Sequence, residues 1–388
     1  MSGPEIKGWC PGAWTPMASG DGLVVRVRPR LARVSAAQMA GLCELALTYG
    51  SGTIDVTNRA NLQIRGVQPD GHARVLGALA GLDLLDSDPD QETRRNVMVS
   101  PLWVPGDLTE RLATRLLARL DELPVLPAKV GFAIDTGPQT WLEHASADIR
   151  LECGTAGAVI LRADGATSGR AVSEADAIDA LIALAWWFAD ARAAIQARGG
   201  VNPALRTPSR MARLLRHTPL PPDWTGHAPG VDVGRGSPRR PGPTPLGPSV
   251  GFAFGQIDAA DLPDVLARSG ASALRLTPWR CAILEGGQAV AGSSVLMDPD
   301  DPLIDTDACP GAPLCPAATV QTRGLARSLA RPGRSLHVSG CAKGCARTRP
   351  ADLTLVGREH GFDLVENGRA WDEPRQRGLS PADLAGLL

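Results

Sequence analysis

The chain of 388 residues is poor in aromatic side chains, which make up 4% of it, and it contains one Tyr and six His. It also lacks an excess of charge of either sign, since its formal net charge is −1. A nearly neutral chain is not expected to bind nucleic acid or an anionic membrane surface through long-range electrostatics. We therefore predict neither kind of partner.

The sequence has no apolar stretch long enough to cross a bilayer, for which about 20 residues are needed. The longest one, residues 180–189, lies between Asp179 and Asp190. Residues 1–14 also lack the charged and apolar segments of a signal peptide. We therefore expect a cytoplasmic protein, whose eight Cys stay reduced and act as metal ligands or core residues.

A pattern of strands and a helix occurs twice along the chain. In residues 9–70, alternating strands surround a helix that Ser35 can cap. A similar order recurs in residues 250–293, where Leu274-Arg-Leu-Thr-Pro-Trp-Arg280 resembles Ile54-Asp-Val-Thr-Asn-Arg59. We interpret the two segments as duplicated halves.

The rest of the chain is predicted to form two further domains and a linker that is rich in Pro and Gly. The predicted segments are 9–70, a first half-domain; 71–217, a mixed α/β domain; 218–249, the linker; 250–293, a second half-domain; and 294–388, a domain that carries a cysteine motif.

The cysteine motif consists of two close pairs, Cys309-x5-Cys315 and Cys341-x3-Cys345. A [4Fe–4S] cluster needs four thiolates, and loops with short Cys spacings supply two each. Zinc also binds four Cys, but its pairs are usually separated by two to four residues, which the five-residue gap fits poorly. The motif therefore favours an iron–sulfur cluster, with zinc and structural thiols as alternatives.

The other cysteines are interpreted differently. Cys43 falls on the apolar face of the first helix, and Cys153 and Cys281 fall in strand patterns, so all three are predicted to be buried and inert. Cys10 lies in a turn with Pro and Gly, and its role stays open.

The cysteine pairs and the duplicated half resemble the sulfite and assimilatory nitrite reductase superfamily. That resemblance implies an α+β fold with two ferredoxin-like halves and mixed α/β iron–sulfur domains. In the superfamily the same Cys pairs hold a [4Fe–4S] cluster, and the last one, here Cys345, bridges it to sirohaem.

The resemblance also implies a binding rim for a tetrapyrrole. Family segments beside the macrocycle correspond here to residues 57–65, 95–101 and 126–129. Sirohaem and its relatives carry carboxylates, which Arg side chains bind with two parallel hydrogen bonds. The candidate binding residues are Arg59, Gln63, Arg65, Arg95, Asn96, Lys129 and Arg280.

One departure indicates a particular branch. Sulfite reductases have basic residues where this chain has Ala128 and Gly131, so part of the grip on a small oxyanion is missing. The N-terminal residues 7–28 are similar to the precorrin-3B synthase branch, which belongs to aerobic cobalamin synthesis. The branch implies a monooxygenase that uses O2 and NADH-derived electrons to hydroxylate precorrin-3A and form a lactone.

The branch is associated with a [4Fe–4S] cluster and a mononuclear non-haem iron. The sequence does not reveal ligands for that iron, although His337 lies nearest to the second Cys pair. No Gly-x-Gly-x-x-Gly motif follows a strand, so we expect NADH to act through a separate reductase.

Two other functions remain open at this stage. The first is a sirohaem-dependent sulfite or nitrite reductase. The second is a non-enzymatic tetrapyrrole carrier or electron-transfer protein.

Overall fold

The computed structural model describes residues 11–154, 157–199, 207–230 and 238–387, and Cys10 lies outside them. The described residues form four five-stranded sheets. Their strands are β1 Met17–Ser19, β2 Gly22–Val27, β3 Arg33–Ser35, β4 Thr53–Val56, β5 Leu62–Val67, β6 Val97–Val99, β7 Phe132–Asp135, β8 Ile149–Cys153, β9 Val159–Ala163, β10 Arg170–Val172, β11 Gly242–Thr244, β12 Gly247–Gly251, β13 Gln256–Asp258, β14 Ala273–Leu276, β15 Cys281–Glu285, β16 Thr306–Ala308, β17 Leu336–Ser339, β18 Ala351–Arg358, β19 Gly361–Gly368 and β20 Gln376–Leu379.

The helices pack on these sheets. They are α1 Ala36–Tyr49, α2 His72–Gly81, α3 Pro89–Arg94, α4 Leu108–Leu117, α5 Ala177–Gly199, α6 Met211–Leu214, α7 Leu262–Ser269, α8 Arg323–Leu329 and α9 Pro381–Leu387. The predicted cap of α1 is confirmed, because Ser35 Oγ accepts from the Gln38 amide at 3.1 Å and Gln38 Oε1 accepts from the Ser35 amide at 3.0 Å. Among the described residues, no helix has both the length and the apolar character of a membrane span.

The two ferredoxin-like halves exchange strands. The first sheet has the order β1-β2-β5-β4-β13, and the second has the order β11-β12-β15-β14-β3. Strand β13 of the second half therefore pairs with β4 of the first, while β3 of the first half pairs with β14 of the second. Each sheet is completed by the other half, so the two segments form one packed unit.

The resemblance between the halves extends to one turn in each. The amide of Arg59 donates to Thr57 Oγ1 at 3.3 Å, and the amide of Trp279 donates to Thr277 Oγ1 at 3.3 Å. The next residue has a positive φ in both turns, 52° in Ala60 and 61° in Arg280. The structural counterpart of Arg59 is therefore Trp279, and Arg280 corresponds to Ala60.

The other two sheets also repeat one another. The third sheet has the order β10-β9-β8-β7-β6, and the fourth has the order β16-β17-β18-β19-β20. In each, the first three strands in the chain are parallel and the last two are antiparallel to their neighbours. The described residues thus form two copies of one unit. Each copy consists of a ferredoxin-like half followed by an α/β domain.

One segment differs from the prediction from sequence. Strands β11 and β12 begin at Gly242 and Gly247, inside the stretch 218–249 that was predicted as a linker. These residues form the outer hairpin of the second ferredoxin-like sheet. The prediction missed it because a short edge hairpin rich in Pro and Gly does not require apolar alternation.

Candidate cluster and substrate site

The first cysteine pair lies in the loop that follows β16. Cys309 comes directly after this strand, and its sulfur accepts a hydrogen bond from the Gly340 amide at 3.1 Å. The Cys309 carbonyl accepts from the Thr322 hydroxyl, which brings the two ends of the loop together. The Cys315 amide donates to the Gly311 carbonyl at 2.8 Å, so a tight turn separates the two thiols.

The second pair follows β17, the parallel neighbour of β16. Because the carboxyl ends of neighbouring parallel strands meet at one edge of a sheet, Cys309 and Cys341 leave the fourth sheet side by side. Gly340 permits this approach, since a Cβ on it would lie 2.6 Å from the Ala318 Cβ and 3.4 Å from the Gly311 Cα.

Electrostatics shows that the four thiols influence one another. Burial raises the pKa of the Cys309 thiol, the amides of Gly340 and Gly311 oppose that rise, and the charges of Cys315 and Cys341 add to it. Although Cys345 as a whole is exposed, partial burial of its thiol and the charges of Cys341 and Cys309 raise its pKa as well. Positive charge between these sulfurs, such as a metal cluster supplies, would oppose the rise and favour the thiolate forms.

The loops that carry the four cysteines have features that suit a cubane. Each thiolate of a cubane binds a different iron, whereas four thiolates around one zinc bind the same ion. Among the described residues, no group of three or more His, Cys, Asp and Glu side chains stands close enough together to hold one metal ion. The two convergent loops, the close glycines and the amide donor to Cys309 therefore suit a [4Fe–4S] cluster.

Arg59 and Lys129 lie close together. Arg59 Nη2 donates to the Lys129 carbonyl at 2.8 Å and contacts Ser146 Oγ at 3.5 Å. Both residues are half-buried. The Lys129 ammonium forms no hydrogen bond or ion pair with a described residue, which leaves it available to a ligand.

Gln63 and Arg65 lie on the polar face of the first ferredoxin-like sheet. The Gln63 side-chain oxygen accepts from Arg26 Nη2 at 2.8 Å. Arg65 is only 6% exposed, and its Nη1 donates to Asp55 Oδ2 at 3.2 Å. The sequence did not indicate Asp55 as a partner of Arg65.

Arg95 and Asn96 are both engaged by the protein. The Arg95 guanidinium contacts both carboxylate oxygens of Asp86, the shortest distance being 2.7 Å, and Nη1 donates to the Arg28 carbonyl at 2.6 Å. Asn96 Nδ2 donates to the Val130 carbonyl at 2.6 Å. These contacts stabilise the start of β6, and ligand contact by either residue stays a prediction.

Arg280 faces the fourth sheet. Its Nη1 donates to the Thr306 carbonyl at 2.7 Å and its Nη2 to the Ile304 carbonyl at 2.8 Å, and it pairs with Asp307 at 3.3 Å. The side chain therefore joins the second half-domain to the strand that precedes Cys309.

The structure also describes His337 and the three cysteines outside the motif that the sequence singled out. His337 is fully buried, and neither ring nitrogen has a hydrogen-bond partner, while burial lowers its pKa to about 4. Cys43 and Cys281 are buried as predicted, and burial raises the pKa of each to about 12. Cys153, the last residue of β8, is only partly buried, so the prediction that it is buried is wrong for this residue.

Comparison with known proteins agrees with the topology. A family model of the nitrite/sulfite reductase ferredoxin-like half domain matches residues 15–82. The solved structure of the Mycobacterium tuberculosis NirA protein is similar, with a TM-score of 0.61 and 16% identity over 94% of this chain and 79% of that one. The chain thus has the nitrite/sulfite reductase-like α+β fold, and the fold predicted from the sequence is confirmed.

A curated relative gives the narrower assignment. The precorrin-3B synthase of a Sinorhizobium species is 30% identical, and the alignment covers 94% of this chain and 83% of the relative. The chain belongs to the precorrin-3B synthase family, and it is an oxidoreductase.

Proposed function

We propose that this protein converts precorrin-3A to precorrin-3B in cobalamin biosynthesis. The observation that carries the proposal is the 30% identity to a precorrin-3B synthase over 94% of the chain. In the proposed reaction O2 takes up two electrons and two protons. One oxygen atom enters the macrocycle, where a ring acetate closes a lactone, and the other leaves as water. NADH supplies the electrons through a separate reductase.

The four cysteines of the two loops are the proposed ligands of a [4Fe–4S] cluster. Such a cluster supplies one-electron chemistry when it is bound. The role of the protein is to hold the thiolates in place, and the amide of Gly340 stabilises the anionic form of Cys309 through its 3.1 Å hydrogen bond. We also propose the domain boundaries that the sequence predicts at residues 71, 218 and 294.

Lys129, Arg59 and Gln63 are the foremost candidates to orient the substrate. The ammonium of Lys129 has no protein partner among the described residues, and Arg59 binds the Lys129 carbonyl. A cation and an amide of this kind suit the carboxylates of precorrin-3A. Arg65 and Arg95 are buried in ion pairs with Asp55 and Asp86, and Asn96 and Arg280 bind main-chain carbonyls, so we propose that these four support the rim without contacting the substrate.

A mononuclear iron finds no support in the geometry. The described residues contain no group of three His, Cys, Asp or Glu side chains suited to one ion, and His337 stands without a second ligand. We therefore derive no step through such an iron.

The sulfite or nitrite reductase alternative is disfavoured by a particular contact. A Cβ on Gly131 would lie 2.7 Å from Asn96 Nδ2, so the basic residue of sulfite reductases does not fit here unless Asn96 moves.

The proposal is tested with protein purified without air. Precorrin-3A, an electron source and O2 are added, and the product mass is measured. A gain of one oxygen atom that is lost in Cys341→Ser, and kept in the matched control Cys153→Ser, is expected. An unchanged mass, together with sirohaem absorption and sulfite-dependent oxidation of the electron donor, would instead establish the reductase.

A further inference from the structure

We propose that Arg65, Asp55 and Arg323, which we call the charged clamp, are positioning residues that fix Cys309 and Cys315 relative to one another. The inference rests on the proposed function, because it concerns the loop that is proposed to hold the cluster. It gives Arg65 a role in holding the loop of Cys309 and Cys315 instead of a direct contact with the tetrapyrrole. It also gives a role to Asp55 and Arg323, which lie outside the cysteine motif.

One arm of the clamp reaches Cys309. Thr322 donates its hydroxyl to the Cys309 carbonyl, and it is buried. A Cβ on Gly311 would lie 2.6 Å from Thr322 Oγ1, so this hydroxyl also packs against the turn between the two cysteines. The next residue, Arg323, begins α8, and its Nη2 donates to Asp55 Oδ1 at 3.2 Å.

The other arm reaches Cys315. The carbonyl of Leu314 accepts from the Gly20 amide at 2.9 Å and from Ser19 Oγ at 2.6 Å. A Cβ on Gly20 would lie 2.1 Å from the Pro313 carbonyl oxygen, so the β1–β2 turn touches the loop directly. Ser19 Oγ in turn contacts Arg65 Nη2 at 3.2 Å.

Asp55 joins the two arms. Its Oδ2 accepts from Arg65 and its Oδ1 from Arg323, each at 3.2 Å. A closed path of contacts therefore runs from Cys309 through Thr322, the clamp, Ser19 and Leu314 to Cys315.

The burial of the clamp indicates that its geometry is important. The side chains of Arg65, Asp55 and Arg323 are 7%, 12% and 14% exposed. Arg323 Nε and Nη1 are buried and have no hydrogen-bond partner among the described residues. Buried donors of this kind are costly and rare. Arg323 is nevertheless held in this buried position, where its Nη2 binds the Asp55 carboxylate that joins the two arms.

The experiment compares Arg323→Gln, Asp55→Asn, the double variant and Arg323→Lys in the full-length chain. Arg331→Gln is the matched control, because Arg331 is exposed and donates to carbonyls at the end of the same helix. The first readout is the rate at which iodoacetamide alkylates Cys309 and Cys315 in metal-free protein, measured by mass spectrometry. The second is the midpoint potential of the reconstituted cluster.

Each neutral variant is expected to raise alkylation of Cys309 and Cys315 about tenfold, since one charge-assisted hydrogen bond shifts a local opening by roughly that factor. The double variant should be alkylated at nearly the same rate as each single variant, because both substitutions break the same path of contacts. Loss of the Arg323 charge should make the potential more negative, and Arg323→Lys should restore it.

If the Arg323 and Asp55 variants show the same alkylation rates and the same midpoint potential as Arg331→Gln, the proposed role of the charged clamp is wrong. If wild-type protein takes up no cluster, the cluster assignment of the proposed function fails, and alkylation of the metal-free chain still decides the clamp by the same comparison.

Discussion

The close approach of the two cysteine loops at Gly340 predicts that a single added methyl group has a large effect. Gly340 lies between β17 and Cys341, and a Cβ there would stand 2.6 Å from the Ala318 Cβ. Ala318 belongs to the loop after Cys315, and its amide donates to the Cys315 carbonyl at 3.0 Å. Gly340→Ala therefore pushes the loop of one cysteine pair away from that of the other.

The magnitude follows from the overlap. Forcing a methyl group into a packed position costs about 1–3 kcal/mol. The same shift weakens the hydrogen bond from the Gly340 amide to Cys309 Sγ, which is 3.1 Å long. We expect a lower melting temperature and less than the full complement of iron after reconstitution.

Gly324→Ala is the matched control. Gly324 is exposed in α8, and a Cβ on it would meet nothing within 4 Å. Replacing a helical Gly by Ala should stabilise the protein by roughly 0.5–1 kcal/mol. Both variants are compared by thermal unfolding and by iron and sulfide content per chain. If Gly340→Ala matches Gly324→Ala in both measurements, the inferred contact between the loops is wrong.

Three further predictions concern charged residues. Arg95→Gln should destabilise the protein by about 3–5 kcal/mol in chemical unfolding, because it leaves Asp86 buried and unpaired; an unchanged stability with weaker tetrapyrrole binding would make Arg95 a ligand residue instead. Burial raises the pKa of Asp135 to about 6 from an ordinary 3.8, so its ionisation destabilises the folded state as the pH rises through this interval. Asp135→Asn should therefore gain roughly 2–3 kcal/mol over the wild type between pH 4 and 7, and a difference independent of pH would refute this. Lys129→Gln should weaken binding of a carboxylated porphyrin about tenfold, measured by fluorescence quenching, with unfolding unchanged.

The sequence predicted local features well because their causes are local. Ser35 and Gln38 are three residues apart, and their capping box forms as expected. The duplicated turn was also visible, since Thr57 and Thr277 occupy matching positions in similar segments. The sequence did not show how the two turns align residue by residue, because the residue with positive φ is Ala60 in one turn and Arg280 in the other.

A single sequence does not predict which residues pair with its buried charged side chains. Arg95 looks like a ligand residue by motif, and only the fold shows that Asp86 occupies its guanidinium. Arg323 pairs with Asp55 across 268 positions of the chain. Contacts of this kind arise from tertiary packing, so neither propensity nor spacing indicates them.

The duplication also shows what occupies the place of the cysteine motif in the first α/β domain. Cys309-Pro310 follows β16, and the equivalent position after β6 holds Ser100-Pro101. Strand β7 corresponds to β17, and it ends at Asp135. The buried Asp135 carboxylate accepts from the amides of Trp141 and Leu142 at 2.5 and 2.6 Å.

These two amide bonds fold the first domain's loop onto its own sheet. In the second domain the corresponding loop crosses toward Cys309 and carries Cys341. A carboxylate that organises backbone amides thus takes the place that a cluster is proposed to take in the other copy. The Ser-Pro segment, which resembles the family's macrocycle-binding pattern, is therefore the structural counterpart of the first half of the cysteine motif.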